Sequence, residues 1–259
     1  MDALTRAGYL AHAQSVAYGR RLAETRRLLR EAARLGRPAL MISGGKDSLV
    51  LSDIARHEFG NDVEGFFIDS GAEHPAALAV IEALRQRSWR IETVYPERSI
   101  VEMLKLIGGL GYSGPEQLPG EWHWAGSDWK RILITEPAAA IRERGYPVTL
   151  LGLRADESRP RAMSMRRYGP IRTRRDGAVI ACPLAWWTGA DVMAYALAHN
   201  LPLSEIYLRE GETSPERRRT GTLLGDTSTR YGRWAELRHM WPDVWMRLIE
   251  IFPEMSRWS

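Results

Sequence analysis

A glycine-rich segment, Ser43-Gly44-Gly45-Lys46-Asp47-Ser48, lies between the apolar run 39–42 and a helix-like run over 49–54. A strand that leads through a glycine loop into a helix forms an anion site, because backbone N–H groups and the positive end of the helix dipole meet there. Lys46 adds a full positive charge, and the two serines add hydroxyl donors. The segment predicts a pyrophosphate-binding loop; a glycine turn capped by its own polar side chains is the structural alternative.

The residue after the lysine distinguishes this loop from the commoner phosphate loop. That loop needs a glycine five positions before its Gly-Lys pair and Ser or Thr directly after the lysine. Here Leu40 stands at the first position, and Asp47 follows Lys46. A carboxylate beside a phosphate repels it unless the carboxylate holds a divalent cation that bridges to the phosphate oxygens. We therefore expect Asp47 to bind Mg²⁺.

Apolar strand-like runs alternate with helix-like runs along the chain. The predicted strands are 39–42, 63–68, 90–94, 148–153 and 179–181, and the predicted helices are 2–35, 47–59, 75–87, 99–107, 127–144 and 188–200. This alternation predicts an α/β fold with an open, mainly parallel sheet and helices on both faces. Ligands of such sheets lie beyond the carboxyl ends of the strands, so the loops at Ser43, Asp69 and Arg154 are expected to converge on one edge.

The chain has 259 residues, enough for one large α/β domain with extensions. We expect an N-terminal helical segment over 1–36, a nucleotide-binding domain over 37–208 and a C-terminal helical extension over 209–259. The extension has the spacing of an amphipathic helical pair that covers the site or forms an interface. No apolar run approaches a membrane span and no signal-peptide core is present, so we expect a cytoplasmic protein. An oligomer is compatible with the sequence.

A second motif, Ile68-Asp69-Ser70-Gly71-Ala72-Glu73-His74-Pro75, closes the second predicted strand. Gly71 allows the backbone to turn close to a ligand. Asp69 is a candidate to orient a ribose or a metal ion. A helix cap formed by Asp69 or Ser70 is the structural alternative, and it is compatible with binding.

A third motif follows the fourth predicted strand, over residues 151–161. Gly152 allows close approach of the backbone. Arg154 is a candidate to neutralise phosphate charge as a transition state develops. Glu157 is expected to fix Arg154 or its loop by a salt bridge, and Ser158 follows it in the same motif.

Positive charge and cysteine content constrain the partners. The net charge is +4, and arginines concentrate over 154–175 and 217–219. Arginine has a planar fork that suits phosphate, so these clusters indicate an anionic substrate, nucleic acid included, or a solvated basic face. The one cysteine, Cys182, excludes an internal disulfide and an all-cysteine iron–sulfur site within one chain. Free cysteine is usually buried, so we expect Cys182 to be a small apolar residue of the interior, and its Ala-Cys-Pro setting does not suit a mobile nucleophile.

These motifs together resemble the ATP pyrophosphatase superfamily (adenine nucleotide alpha hydrolase-like), whose members cleave ATP between the α and β phosphates. The motifs over 68–75 and 152–161 are most similar to those of the phosphoadenosine phosphosulfate reductase branch, and the resemblance runs from about Pro38 to Leu208. It implies ATP and Mg²⁺ as ligands. It implies that nucleotide is bound by Ser43, Gly44, Gly45, Lys46, Asp47, Ser48, Asp69, Gly71, Gly152, Arg154, Glu157 and Ser158. It implies catalytic roles for Lys46, Asp47, Lys130 and Arg154.

The resemblance also covers Asp128-Trp129-Lys130-Arg131, where the family carries a basic pair on a helix that points into the site. Lys130 is expected to contact an α-phosphate or a sulfonyl-like group. A surface lysine on an amphipathic helix is the structural alternative. Reductase members often carry a cysteine pair beside this motif, and here no cysteine is near it.

The chain departs from the reductases at their cysteines. Relatives place Arg-x-Gly-Cys-x-x-Cys where this chain reads Arg219-Thr220-Gly221-Thr222-Leu223-Leu224-Gly225, and the final residues carry no cysteine. We therefore expect no iron–sulfur cluster and no reductase redox step. The resemblance then favours ATP cleavage that activates an acceptor for sulfur incorporation, with the DNA backbone as one acceptor, as in phosphorothioate DNA modification, and a sulfur-donor protein as partner. The alternatives are a reductase of phosphoadenosine phosphosulfate or adenylyl sulfate, and a non-catalytic subunit that binds nucleotide or nucleic acid.

Overall fold

A six-stranded sheet forms the centre of the fold. The computed structural model describes residues 1–106, 131–209, 213–224 and 227–258. The strands are β1 (Pro38–Met41), β2 (Glu64–Ile68), β3 (Ile91–Val94), β4 (Val148–Leu150), β5 (Ile171–Thr173) and β6 (Val179–Ala181), in the order β3-β2-β1-β4-β6-β5. β1 is parallel to β2 and β4, β4 is parallel to β6, and β5 is antiparallel to β6. The predicted α/β fold with a mainly parallel sheet is confirmed.

Helices alternate with the strands, as expected. They are α1 (Ala3–His12), α2 (Val16–Arg34), α3 (Lys46–Phe59), α4 (Pro75–Gln86), α5 (Ile100–Leu106), α6 (Glu136–Glu143), α7 (Arg159–Tyr168), α8 (Gly189–Ala198), α9 (Glu205–Leu208), α10 (Thr227–Met240) and α11 (Pro242–Ile251). The last two are the helical pair expected of the C-terminal extension.

The prediction of one continuous helix over 2–35 is wrong. The chain forms two helices, with a break between His12 and Val16. The Ser15 side chain accepts a hydrogen bond from the Tyr18 N–H and so caps the second helix. A serine that caps competes with continuation of the helix, which the apolar spacing alone does not reveal.

The predicted helix over 127–144 lies partly outside the described residues. Its described part begins with a π-helical turn over Arg131–Thr135 and continues as α6. Pro137 lies in the first turn of α6, where the missing N–H of proline has no helical partner to lose.

The segment between the Arg154 motif and β6 contains two elements that the sequence did not predict, α7 and β5. The Ser158 side chain caps α7, and Gly169, with φ of 76°, ends it. Gly177, with φ of 78°, then makes the turn that joins β5 to β6, closed by a 2.8 Å hydrogen bond from the Arg174 N–H to the Ala178 carbonyl. This hairpin adds an antiparallel pair to the sheet.

The chain divides into two compact units. The first comprises Met1–Phe67, Ala76–Thr93 and Ala138–Thr220, and the second comprises Ile68–Pro75, Val94–Pro137 and Gly221–Ser259. The core of the first unit packs around β1, α3 and α8, with the large buried side chains Leu40, Leu51, Trp187 and Tyr195. The domain boundaries at 36/37 and 208/209 remain predictions.

The second unit has an apolar core of its own. α10 and α11 supply its tryptophans, Trp234 and Trp245, and α5 supplies Ile100 and Leu104. The indole N–H of Trp234 donates to the Leu223 carbonyl at 3.3 Å. Among the residues that the structure describes, no helix has the length and apolar character to cross a bilayer.

Candidate functional site

The glycine loop connects β1 to α3 in the first unit. Gly44 has a φ of 71°, and a Cβ at this position would lie 2.8 Å from the backbone carbonyl carbon of Ala77, so only glycine fits. The Ser48 hydroxyl accepts from the Ser43 N–H at 3.1 Å and donates to the Gly45 carbonyl at 2.9 Å. The loop is therefore closed by its own serine, and α3 starts directly at Lys46.

Lys46 is buried, with 2 % of its surface exposed. Its ammonium Nζ donates to the Arg218 carbonyl at 2.9 Å, lies 3.3 Å from Asp47 Oδ2 and sits 5.0 Å from the centre of the Tyr207 ring. Burial lowers the pKa of Lys46, and the neighbouring Asp47 carboxylate offsets part of that effect. A buried ammonium with few charged partners is a strong attractor for an anion.

Arg154 contacts the same carboxylate from β4's side of the sheet. Its Nε donates to Asp47, and its Nη1 donates to Asp156 Oδ2 at 3.0 Å. Burial opposes the charge of this guanidinium, but the Asp47 carboxylate outweighs burial and raises the pKa of Arg154. The structure thus brings together Lys46, Asp47 and Arg154, as the convergence of neighbouring strand ends predicts.

Gly152 lets the segment after β4 approach the start of α3. A Cβ at Gly152 would lie 2.8 Å from the Asp47 carbonyl carbon and from the Ser48 nitrogen. A larger residue would push Arg154 away from Asp47. Gly152 therefore allows close approach of the backbone, as expected, and the backbone it approaches is that of Asp47 and Ser48. Contact of Gly152 with nucleotide stays a prediction.

Glu157 fixes the loop that carries Arg154. Its carboxylate accepts the Arg154 backbone N–H at 3.0 Å and pairs with the Arg161 guanidinium. Arg219 Nη2 donates to the Glu157 carbonyl at 3.1 Å. Of the two roles expected for Glu157, the structure has the loop role; the Arg154 guanidinium is held by Asp47 and Asp156 instead. The Ser158 side chain caps α7 by accepting from the Arg161 N–H.

The Asp69 motif belongs to the second unit. The Asp69 carboxylate accepts the Gly71 N–H at 2.9 Å, and Gly71 has a φ of 88° with Ser99 close to where a Cβ would lie. The Ser70 hydroxyl donates to Glu73. The segment is a tight turn that needs glycine, which agrees with the backbone turn expected at Gly71. The roles of Asp69 and Gly71 in binding stay predictions. Lys130 lies outside the described residues.

Sequence reasoning missed two side chains beside the loop, Tyr207 and Thr220. The Tyr207 hydroxyl accepts from the Lys46 N–H at 3.4 Å and shares a 3.2 Å hydrogen bond with the Thr220 hydroxyl. Burial raises the pKa of Tyr207. Tyr207 lies within the range that resembles the family, and Thr220 lies in its Arg-x-Gly stretch. That resemblance is the signal that leads to both residues, although it assigns neither a role.

Cys182 is fully buried, as the sequence predicts. Burial raises the pKa of its thiol to about 11. The thiol is therefore protonated at neutral pH, and a protonated thiol is a poor nucleophile.

Comparison with known proteins identifies the family. A model of the phosphoadenosine phosphosulfate reductase domain matches residues 37–229. The chain belongs to this family. Its members are nucleotide-binding enzymes with the PP-loop fold, and the site built on Ser43–Ser48 lies within the matched region.

Individual relatives are distant. The chain is 24 % identical over 229 residues to sulfate adenylyltransferase subunit 2 of Stutzerimonas stutzeri, covering 79 % of this chain and 70 % of that one. It is 26 % identical over 170 residues to the uncharacterized protein MJ0066 of Methanocaldococcus jannaschii, covering 64 % of this chain and 32 % of that one. The phosphoadenylyl-sulfate reductase of Candida auris, solved as a phosphate complex, aligns with a TM-score of 0.57 and 19 % identity, covering 78 % of this chain and 90 % of that one. The last likeness concerns the fold.

Proposed function

We propose that this family member is an ATP pyrophosphatase that cleaves ATP between the α and β phosphates and activates an acceptor. The observation that carries the proposal is the pair of buried cations, Lys46 and Arg154, on either side of one carboxylate at the start of α3. Two desolvated positive charges beside a loop of backbone N–H groups favour a bound polyphosphate. Phosphoryl-type chemistry needs mainly such positioning and charge neutralisation.

The proposed step is a displacement at the α-phosphorus. An acceptor oxygen forms the new bond to that phosphorus, the bond to the bridging oxygen breaks, and pyrophosphate leaves with the electron pair. A phosphate oxygen of the DNA backbone attacks as an anion and has no proton to lose, whereas water as the acceptor gives its proton to solvent. AMP is thereby joined to the acceptor or released as free AMP. Lys46 holds the leaving phosphates, and Arg154 neutralises charge that grows on the α-phosphate oxygens.

Asp47 is the residue proposed to hold Mg²⁺. Mg²⁺ in such sites is bound by one or two carboxylates together with substrate phosphates and water. The Asp47 side chain is 17 % exposed, and its oxygens contact Arg154 and Lys46. The carboxylate chemistry of Asp47 fits a Mg²⁺ ion that arrives with the nucleotide. The phosphates would then pair with Lys46 and Arg154, and the Asp47 oxygens would be free to hold the ion. The ion would bridge to phosphate and add positive charge at the leaving group.

The proposed acceptor is a polyanion such as the DNA backbone, and the proposed partner is a sulfur-donor protein. Arg159, Arg166 and Arg167 are exposed on α7, close in sequence to Arg154. A row of exposed arginines favours phosphate backbones and makes binding depend on salt. Sulfate adenylyltransferase subunit 2, a relative named as one subunit of an enzyme, supports the idea of a partner chain.

Product analysis of ATP labelled at the α-phosphate tests the proposal. The purified chain with Mg²⁺, with and without DNA, is expected to yield labelled AMP and pyrophosphate, and no ADP. Asp47→Asn is expected to lose this yield, and Glu31→Gln, an exposed carboxylate on α2, is the matched control. Labelled ADP as the product, or no ATP binding, would contradict the proposal.

The family match favours a second candidate, reduction of phosphoadenosine phosphosulfate or adenylyl sulfate. That chemistry needs a thiolate that attacks sulfur, and Cys182 is buried with a raised pKa. Sulfite release from either sulfonucleotide with a thiol reductant, lost in Cys182→Ser, would support the reductase. A third candidate, a non-catalytic nucleotide- or nucleic-acid-binding subunit, is supported if DNA binds without ATP turnover.

A further inference from the structure

Two histidines and an aspartate lie together on the first unit, away from the residues of the glycine loop. Asp53 and His57 are one turn apart on α3, and His199 follows the last residue of α8. Each offers one ligand atom, and these atoms lie within 4.8 Å of one another. The metal-ligating side chains of the described residues form no other such group of three or more.

The geometry of the group is already close to that of a metal site. His57 Nε2 lies 3.5 Å from Asp53 Oδ2, and the edge of a tetrahedral zinc site is about 3.4 Å for ligands at the usual distances. The His57 and His199 ring centres are 6.1 Å apart. His57 is exposed, so its side chain has room to rotate toward His199. The ligand atoms of all three residues lie within 4.8 Å of one another, so we expect closure to come mainly from side-chain rotation.

Tyr195, on α8, orients two of the three ligands. Its hydroxyl donates to Asp53 Oδ2 at 2.9 Å, and the His199 ring stacks on its ring with centres 4.0 Å apart at 15°. Tyr195 is 1 % exposed, so its position is fixed by the core. An outer partner that holds ligands in place is typical of metal sites.

The surroundings of His199 include charges of both signs. Burial lowers the pKa of His199, against the opposing charge of Asp53, and His57 and Arg26 lower it further. Arg26 also places a positive charge nearby, which weakens the attraction for a cation.

We propose that Asp53, His57 and His199 bind one divalent transition-metal ion, with zinc as the best match, and leave its remaining position to water. Two imidazoles and one carboxylate suit zinc and its neighbours, while Mg²⁺ and Ca²⁺ prefer sites made only of oxygen. The ion joins the middle of α3 to the end of α8. Because α3 begins at Lys46 and Asp47, the ion steadies the helix that carries the glycine loop.

The alternative for the same residues is a simple ion pair. His57 and Asp53 are four residues apart on one helix, and ion pairs of this spacing are common and weak. The two interpretations differ in His199, which contributes to a metal site and has no part in the Asp53–His57 pair.

Metal titration of the untagged, chelator-treated chain tests the proposal. Zn²⁺ is titrated against a chromophoric competing chelator, and Co²⁺ is used as a spectroscopic probe. We expect one ion per chain, and a loss of affinity of at least about tenfold in both His57→Ala and His199→Ala. His239→Ala, which changes an exposed histidine of the second unit, is the matched control and is expected to stay within about twofold of the parent chain.

A thermal melt separates loss of the site from loss of the fold. The parent and the control are expected to melt at a higher temperature with Zn²⁺ than with Mg²⁺, and the two histidine variants are expected to melt at the same temperature with either ion. Zinc affinity equal in the parent and both variants would overturn the proposal. So would loss of affinity in His57→Ala alone, or the absence of stoichiometric binding in the parent.

Discussion

Two buried charge clusters of the first unit have opposite arrangements. At Asp191 the carboxylate is fully buried, and its partners, Arg21 and His12, have side chains that are about one third exposed. At Asp47 the carboxylate is the more exposed member, and its partners Lys46 and Arg154 are almost fully buried. The first cluster buries its anion and leaves the Arg21 side chain partly exposed to water. The second cluster buries its two cations and leaves its anion the more exposed member.

We expect this difference to separate a structural cluster from one that binds an anion, as proposed above. Asp191 also accepts the Thr188 N–H at 2.6 Å and the Thr188 hydroxyl at 2.7 Å, so its oxygens are satisfied within the protein. Desolvated cations are costly unless an anion compensates them. The buried cations contact the Asp47 carboxylate and, at Arg154, that of Asp156, and an incoming phosphate would add a further anion to the two desolvated charges.

Asp191→Ala is expected to have the largest effect, on stability. Removing one partner of a buried ion pair costs about 3–5 kcal/mol, and this variant also loses the Asp191 half of the capping box at the start of α8. The free energy of unfolding, measured by urea denaturation, is the readout. Glu31→Ala, at an exposed ion pair with Arg27, is the control, and no measurable change is expected there. A loss at Asp191 no larger than at Glu31 would contradict the structural role.

The pH dependence of the stability of Asp191→Ala tests whether the buried Asp191 carboxylate is charged in the folded protein. Burial alone raises the pKa of Asp191, but hydrogen bonds from Thr188 and His12 and the charge of Arg21 lower it below its ordinary value. A carboxyl with a lowered pKa in the folded state stabilises the protein above its ordinary pKa and loses that contribution as the pH falls through the folded-state value. The stability difference between parent and Asp191→Ala is therefore expected to shrink in acid. A difference independent of pH would argue against an ionised Asp191.

Lys46→Met is expected to have the next largest effect, on activity. It removes a buried positive charge that the proposed function places on the leaving phosphates, and loss of one such group lowers kcat by about 10²–10³-fold. Because methionine fills the same space without a buried charge, folding is expected to be retained. AMP formation from labelled ATP is the readout, and Lys105→Met, at an exposed lysine, is the control. If Lys46→Met and Lys105→Met turn over ATP at the same rate, Lys46 has no role in catalysis.

The sequence predicted the parts of the site whose chemistry is local. A Cβ would collide with neighbouring atoms at Gly44, Gly152 and Gly71, and φ is also positive at Gly44 and Gly71. A glycine that follows an apolar run in the sequence indicates a position of this kind. The convergence of the Ser43 and Arg154 segments follows from parallel order, because β1 and β4 are neighbours. The roles that depend on bound nucleotide stay predictions, since they concern a ligand and not the fold.

The parts that the sequence did not predict depend on contacts between distant residues. β5 is three residues long and contains an arginine, so its strand character comes from pairing with β6 and not from its own pattern. Tyr207 contacts Lys46 across 161 positions of the chain, and no local spacing encodes that contact. The break at Ser15 was missed because helical periodicity continues through it, whereas the capping hydrogen bond interrupts the helix.

Cys182→Ala is expected to have the smallest effect. The thiol is fully buried, its pKa is raised to about 11, and it therefore stays protonated at neutral pH. Removing it deletes one small apolar contact, so AMP formation is expected to stay within about twofold of the parent and stability to fall by about 1 kcal/mol. Native protein is also expected to react with a thiol reagent far more slowly than denatured protein. Fast labelling of the native thiol, or loss of turnover in Cys182→Ala, would indicate that Cys182 takes part in the reaction and would support the reductase.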